Sequence, residues 1–205
     1  MDCSSCGAQP ISSVYCQHCK DVNLDFSAQD HFSVFHLPLQ YSLAKDVLEE
    51  RYLKLSRVTH PDLVCGEIKK DPRLLALSSF VNESYRVLKD DFLRAEAMLK
   101  YYSEGLSLDG NALPPCFLMD MLELQEEVES YVSDPEKFED ELEKVESKME
   151  EKISSTFERI RFLFDSLSGK EEDSGEIPQE IQRSLNTIRY YRRALESVEK
   201  ALEEL

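Results

Sequence analysis

The 205-residue sequence predicts an all-α fold carrying a small N-terminal cysteine knuckle, and three observations lead there. Apolar residues recur at spacings of three and four from about residue 30 to the C-terminus, the period of one helix face. No stretch outside the cysteine segment alternates apolar and polar residues in the manner of a strand. Four cysteines, Cys3, Cys6, Cys16 and Cys19, crowd into a segment with almost no periodic apolar pattern.

Composition narrows the function classes. With 41% apolar residues the chain can build a real core. No run approaches the roughly 20 apolar residues of a membrane helix. The formal net charge of −17 opposes nucleic-acid binding, which needs a clustered basic surface. The charge is uneven: residues 116–205 hold 25 acidic and 12 basic side chains, residues 1–115 hold 16 and 12. The opening Met-Asp-Cys-Ser-Ser-Cys has neither a secretory pattern nor an Arg-rich amphipathic presequence, so the expected location is the cytosol. A matured protein of the mitochondrial matrix would read the same way.

The first segment, 1–26, reads as a metal knuckle. Two Cys-x-x-Cys hooks, Cys3/Cys6 and Cys16/Cys19, can bring four thiolates onto one tetrahedral ion, with Gly7 relieving the turn back toward the sulfurs. Such an ion supplies folding free energy that a 20-residue segment cannot draw from a core. A closed four-cysteine site is structural rather than catalytic, so the expected occupant is Zn²⁺, with an iron–sulfur cluster as the lesser alternative. His18 reads as exposed, and Cys65 and Cys116 lack partners at ligand spacing.

The second segment, 27–102, reads as helices separated by turn signals. A short aromatic helix holding Phe32 and Phe35 ends at Leu37-Pro38. Ser42 is the expected N-cap of the next helix, whose face is Ala44, Leu48, Tyr52 and Leu55, and Pro61 stops it. Asp71-Pro72 opens a helix with Leu74, Leu77, Val81, Tyr85 and Leu88 on one face; a shorter one follows through Phe92, Ala95 and Leu99. Residues 103–115, with Gly105, Gly110, Asn111, Pro114 and Pro115, form a linker.

The third segment, 116–205, carries three long stripes and predicts a three-helix bundle. They are Phe117, Met121, Leu124, Val128 and Tyr131; then Phe138, Leu142, Val145, Met149, Thr156, Ile160, Leu163 and Leu167; and, after a polar loop at 168–175, Ile181, Leu185, Ile188, Leu195 and Leu202.

Two constellations in these helices invite a partner. His60-Pro61-Asp62 follows a helix bearing Lys45, Arg51, Lys54 and Arg57, the last three at spacings of three. A basic stripe on so acidic a chain is either a binding face or a solvated face balanced by Glu49 and Glu50. On a wheel of about 100° per residue, Phe117, Met121, Leu124, Val128 and Tyr131 gather on one side. Leu118, Met119 and Leu122 point the other way, bordered by Glu123 and Glu126. Apolar side chains facing away from a satisfied core make a partner-binding patch, which Tyr190 extends; the competing reading is a helix buried on both sides. The flexible, polarizable thioether of Met suits such a surface.

From Asp30 onward the chain resembles the HscB/Jac-type J-proteins of iron–sulfur cluster assembly. The matching stretches are Asp30-His-Phe-Ser-Val-Phe-His-Leu-Pro38, Leu55-Ser-Arg-Val-Thr-His-Pro-Asp62, Val81-Asn-Glu-Ser-Tyr-Arg-Val-Leu88, Arg94-Ala-Glu-Ala-Met-Leu99 and Phe117-Leu-Met-Asp-Met-Leu-Glu-Leu-Gln-Glu-Glu127. The last is the most specific, because generic J-proteins lack it, and the tetracysteine leader looks like that of the zinc-bearing members. The resemblance implies a J-domain helical hairpin at 27–102, a scaffold-binding three-helix domain at 116–205 and a zinc knuckle at 1–26. It implies a co-chaperone without enzymatic activity of its own. By it, His60, Pro61 and Asp62 engage a DnaK/HscA-type chaperone and trigger its ATPase, Arg51, Lys54 and Arg57 steer the encounter, and Leu118, Met119 and Leu122 grip an IscU-type cluster scaffold. Leu63 stands where many J-domains carry Lys, and Asp91 where Pro is common; both bear on chaperone affinity and preference.

Three rival readings differ in kind. A zinc-bearing helical interaction protein with a degenerate J-domain would stimulate no chaperone. An enzyme built on His60 and Asp62 lacks a nucleophile motif and a phosphate loop, and Pro61 prevents a helical catalytic face. Cluster binding by the four cysteines themselves would be coloured. The knuckle stands as a fold-stabilising element, a homodimer contact or a docking point for a third protein.

Overall fold

The computed structural model describes residues 5–8, 12–16, 18–19, 21–22, 30–60, 62, 72–134, 136–167 and 176–203. Of the residues singled out above, Cys3, Pro61, Leu63, Cys65, Asp71 and the 168–175 loop lie outside them. Among the described residues the regular structure is helical: α1 (His31–Val34), α2 (Lys45–Thr59), α3 (Pro72–Lys89), α4 (Asp91–Tyr102), α5 (Phe117–Val132), α6 (Glu139–Leu167) and α7 (Glu176–Glu203). An antiparallel bridge joins Tyr15 to Val22 in the cysteine segment. No described helix is long and apolar enough to cross a membrane. The chain divides into two compact units, Met1–Ala97 and Met98–Leu205, so the division falls inside α4 and residues 103–115 belong to the second unit.

In the first unit, α1 is a single turn held by its cap: the Asp30 carboxylate accepts from the amides of Phe32 and Ser33, both at 2.8 Å. Such a cap contributes about 1 kcal/mol. Phe32, Val34 and Phe35 are buried. The chain leaves α1 through His36 at φ +55°, a left-handed conformation that costs a non-glycine residue free energy.

Helix α2 begins later than Ser42 predicts. Ala44 is its N-cap and supplies no side-chain bond, since a methyl group has no acceptor, and Ser42 stands two residues before the cap position. The buried Tyr41 anchors this entry instead. Leu48 and Leu55 face the core as expected. Tyr52 stacks on Tyr85 of α3, ring centroids 4.0 Å apart, and its hydroxyl donates to Asn82 Oδ1 at 3.1 Å. Pro72 occupies the first position of α3, where a missing amide hydrogen is harmless. Leu74, Leu77, Val81 and Leu88 are buried.

In the second unit, α5, α6 and α7 pack on one another as a three-helix bundle. One end of its core joins Val128 of α5 to Leu142, Val145 and Met149 of α6 and to Val198 and Ala201 of α7. Farther along α6 the stripe departs from expectation: Phe164 is buried, while Leu163 is half-buried. Ile160, Phe164 and Leu167 follow the 4-then-3 spacing of a continuous helix face, and Leu163 falls to one side of it. Phe138 precedes α6 and packs its ring on Tyr131 at 5.1 Å.

Residues 103–115 are tied to α7. Asn186 Nδ2 donates to the carbonyls of Gly110 (3.0 Å) and Ala112 (2.8 Å). Gln179 accepts from the Asp109 amide at 2.9 Å and donates to its carbonyl at 3.2 Å.

Candidate functional sites

The cysteine segment brings Cys6, Cys16 and Cys19 together, with all three sulfurs within 4.8 Å of one another. The Cys6 and Cys16 sulfurs stand 3.7 Å apart. Thiolates about 2.3 Å from a tetrahedral zinc lie about 3.8 Å apart, so this spacing fits one shared ion. Gly7 sits at φ +72°, the left-handed turn its position after the first hook predicts. The second hook is framed by the Cys16 amide, which donates to the Asp21 carbonyl at 3.0 Å, and by the Ser5 hydroxyl on the Asp21 carboxylate. His18 is exposed and outside the sulfur cluster. The segment meets α1 through the Ser13 amide, which donates to the Ser33 carbonyl at 3.4 Å.

The second site lies where α2 ends. Thr59 is buried and its hydroxyl donates to the Leu55 carbonyl, so the last turn closes internally. His60 caps the helix in extended conformation, its amide donating to Ser56 O at 2.9 Å. Its Nδ1 accepts from the Asp62 amide at 3.2 Å, while the two exposed side chains sit 4.0 Å apart. His60 and Asp62 thus both face solvent just past the end of α2.

The three basic residues of the stripe sit in different environments. Arg51 is half-buried, and its Nη1 donates to the carbonyls of Phe35 (2.7 Å) and His36 (2.6 Å). Its charge therefore rests on the end of α1, where unpaired carbonyls favour a cation. Lys54 pairs with Glu50 one turn back, and that contact holds the Glu50 carboxyl below its usual range. Arg57 is exposed. Sequence spacing alone has no means of telling the three apart, because Arg51's partners lie 15 and 16 residues away.

The third site is the outer face of α5. Phe117, Met121 and Val128 are buried, whereas Leu118, Met119 and Leu122 are 54%, 67% and 60% exposed. Glu123 and Glu126 are exposed beside them. Three large apolar side chains in consecutive turns, open to solvent and bordered by carboxylates, form a surface that gains free energy when covered. Tyr190 is half-buried in the α5–α7 seam, its ring edge-on to Phe117 at 5.8 Å; Tyr191 is likewise edge-on to Phe117, at 5.6 Å. Burial, aided by the Asp120 carboxylate, raises the Tyr191 phenol above its ordinary pKa.

Arg94 is a buried centre that no local sequence pattern marks, since an arginine on an amphipathic helix ordinarily faces solvent. It is 5% exposed and donates to the carbonyls of Tyr41 (2.8 Å) and Leu88 (2.6 Å) and to the Asp91 carboxylate. Asp91, at the position where Pro is common, thus has a partner one turn along α4.

Comparison with known proteins agrees with this architecture. Residues 113–199 match the HSCB C-terminal oligomerisation domain. A co-chaperone HscB homolog of Vibrio atlanticus is 38% identical over 112 residues, 52% of this chain and 65% of the relative's length. One from Bordetella pertussis is 32% identical over 114 residues, 55% of this chain and 67% of the relative. The crystal structure of human co-chaperone protein HscB superposes with a TM-score of 0.75 over 100% of both chains at 20% identity. Chaperone HscB from Vibrio cholerae superposes with a TM-score of 0.67 over 86% of this chain and 99% of its own, at 22% identity. At those identities the superpositions speak for the all-helical fold, and the sequence matches speak for descent: the chain belongs to the HscB co-chaperone family.

Proposed function

We propose that this protein is a J-type co-chaperone of iron–sulfur cluster assembly. It stimulates the ATPase of a DnaK/HscA-type chaperone and delivers to it an IscU-type cluster scaffold. The exposure of Leu118, Met119 and Leu122 on α5 carries the reading, since a helix already buried through Phe117, Met121 and Val128 gains nothing from a second apolar face unless a partner covers it. The outward-turned His60 and Asp62, with Pro61 between them, serve the chaperone, and Lys54 and Arg57 supply its electrostatic attraction. Holding both partners at once raises the scaffold's effective concentration at the chaperone.

In this reading Cys3, Cys6, Cys16 and Cys19 hold a structural Zn²⁺, which supplies folding free energy and no chemistry. Thiolates kept for a metal belong in a reducing compartment, the cytosol or the mitochondrial matrix.

Single-turnover ATP hydrolysis by a DnaK-type chaperone, with and without this protein and an IscU-type scaffold, tests the proposal. Stimulation that requires Asp62 and is synergistic with the scaffold supports both roles. Stimulation without synergy leaves the J-domain and removes the scaffold. Absence of stimulation leaves a zinc-bearing helical interaction protein with a degenerate J-domain.

A further inference from the structure

Beside the exposed face of α5 the second unit holds an open cavity of about 430 Å³. Asp109, Asn111, Leu113, Cys116, Leu118 and Met119 line it, and Arg183 of α7 forms its far wall. Two of the three exposed apolar side chains of α5 thus open onto a concave surface.

The wall is built to stay open. Asn186 is a polar residue 5% exposed in mid-helix, a placement that costs free energy unless its amide is satisfied. Its Nδ2 holds the Gly110 and Ala112 carbonyls, while its Oδ1 accepts from Arg189 (2.6 Å) and Gln182 (3.2 Å). Gln179, two turns earlier on α7, fixes Asp109. The Asp109 carboxylate accepts from the Asn111 amide at 3.0 Å, holding the turn that forms the rim. A segment that would otherwise hang between helices is thereby a preformed wall, and preformed walls lower the ordering cost of binding.

Charge selects the occupant. Arg183 is already paired with Glu180, which Arg159 shares. The remaining carboxylates are Asp109, which lines the cavity, and Glu123 and Glu126, which follow Leu118 and Met119 along α5, all exposed. Groove and α5 face together present Leu113, Leu118, Met119 and Leu122 among exposed carboxylates, a surface complementary to an apolar segment flanked by Lys or Arg.

We infer that this groove is the second half of the scaffold-binding surface, taking an apolar segment of the scaffold protein flanked by basic residues, with Asn186 as the residue that positions its wall. The inference rests on the proposed scaffold role of Leu118 and Met119 and adds the groove, the sign of the partner's charge and the positioning residue.

The experiment measures binding of the full-length, zinc-loaded protein to a cluster-free IscU-type scaffold by calorimetry, at low and high salt. Asn111→Trp places a ring in the groove from an exposed position and should weaken binding by about tenfold, with the melting temperature unchanged. Asp109→Asn keeps an acceptor for the Asn111 amide but removes the charge; it should weaken binding less and flatten the salt dependence. Saturating scaffold should also protect Cys116 from iodoacetamide, read by peptide mass mapping.

Wild-type affinity in both variants and unprotected Cys116, alongside weakened Leu118→Ala and Met119→Ala, would overturn the groove and leave the α5 patch standing. If Leu118→Ala and Met119→Ala also bind normally, the scaffold reading itself falls and the groove with it. A concentration-dependent dimer in sedimentation that Asn111→Trp dissolves would assign the groove to a second copy of this chain and overturn the scaffold assignment.

Discussion

Arg94 and Tyr41 hold each other at two levels. The Arg94 Nε donates to the Tyr41 carbonyl at 2.8 Å, and its guanidinium carbon lies 4.8 Å from the centre of the Tyr41 ring. The Tyr41 hydroxyl in turn donates to the Asp91 carbonyl at 3.2 Å. A buried guanidinium is tolerated because most of its donors find acceptors that are themselves removed from water. Together these contacts fix the segment that leads into α2, the helix ending at His60.

Arg94→Ala leaves the Tyr41 and Leu88 carbonyls without their donor and removes a cation–π contact. The expected loss is about 2–4 kcal/mol of stability. Arg94→Lys recovers only part of it, because an ammonium cannot span both carbonyls. Chemical denaturation checks this; a loss under about 0.5 kcal/mol would remove Arg94 from the structural role assigned to it.

The basic stripe of α2 should divide by mutation. Arg51→Ala releases the end of α1 and is expected to cost about 1–2 kcal/mol, a loss visible in the melting temperature. Lys54→Ala and Arg57→Ala, both at exposed positions, should stay within about 0.5 kcal/mol. Their effect appears instead in the salt dependence of chaperone stimulation. Equal stability losses in all three variants would contradict the division.

Cys116 precedes α5 at φ +65°, with its carbonyl accepting from the Met119 and Asp120 amides. A side chain in this left-handed conformation is strained and glycine is not, so Cys116→Gly should stabilise the second unit by about 0.5–1 kcal/mol. Glycine's greater freedom in the unfolded chain limits the gain. A lower melting temperature in the variant would show that the thiol makes a contact outweighing the strain.

Tyr191 connects pH to stability. Its folded pKa lies above the unfolded value of about 10, so its contribution is complete below pH 10 and is lost as pH rises through the folded pKa. Stability of the second unit should therefore fall above pH 10. Tyr191→Phe should shallow that fall, measured by denaturation from pH 8 to 11. An unchanged slope would place the phenol's influence elsewhere.

Removing the metal should loosen the first unit from its N-terminal end. Chelation of the zinc-loaded protein is expected to release about one ion per chain and lower the first unit's transition, since the segment's own core is small. Cys16→Ser should reproduce the effect and Cys116→Ser should not. A chain that melts identically with and without metal would show that the knuckle folds on its own contacts.

What the sequence by itself determined was the set of helices and their inner faces. Burial repeats with the helix period, and residues such as Leu74, Leu77 and Val81, or Phe117, Met121 and Val128, state that period locally. The outward direction of Leu118, Met119 and Leu122 follows from the same arithmetic. Only the tertiary structure decided what Arg51, Arg94 and Asn186 do. Arg51 reaches carbonyls 15 and 16 residues away, Arg94 one 53 residues away and Asn186 two at 74 and 76, and no local pattern encodes which distant carbonyl a guanidinium or amide will reach. The Ser42 cap failed for the same reason, because the start of α2 is set by the anchored Tyr41 rather than by the nearest capping residue. Helix faces are decided among neighbours in sequence, and buried polar groups are decided by whichever unpaired donor and acceptor the fold brings together.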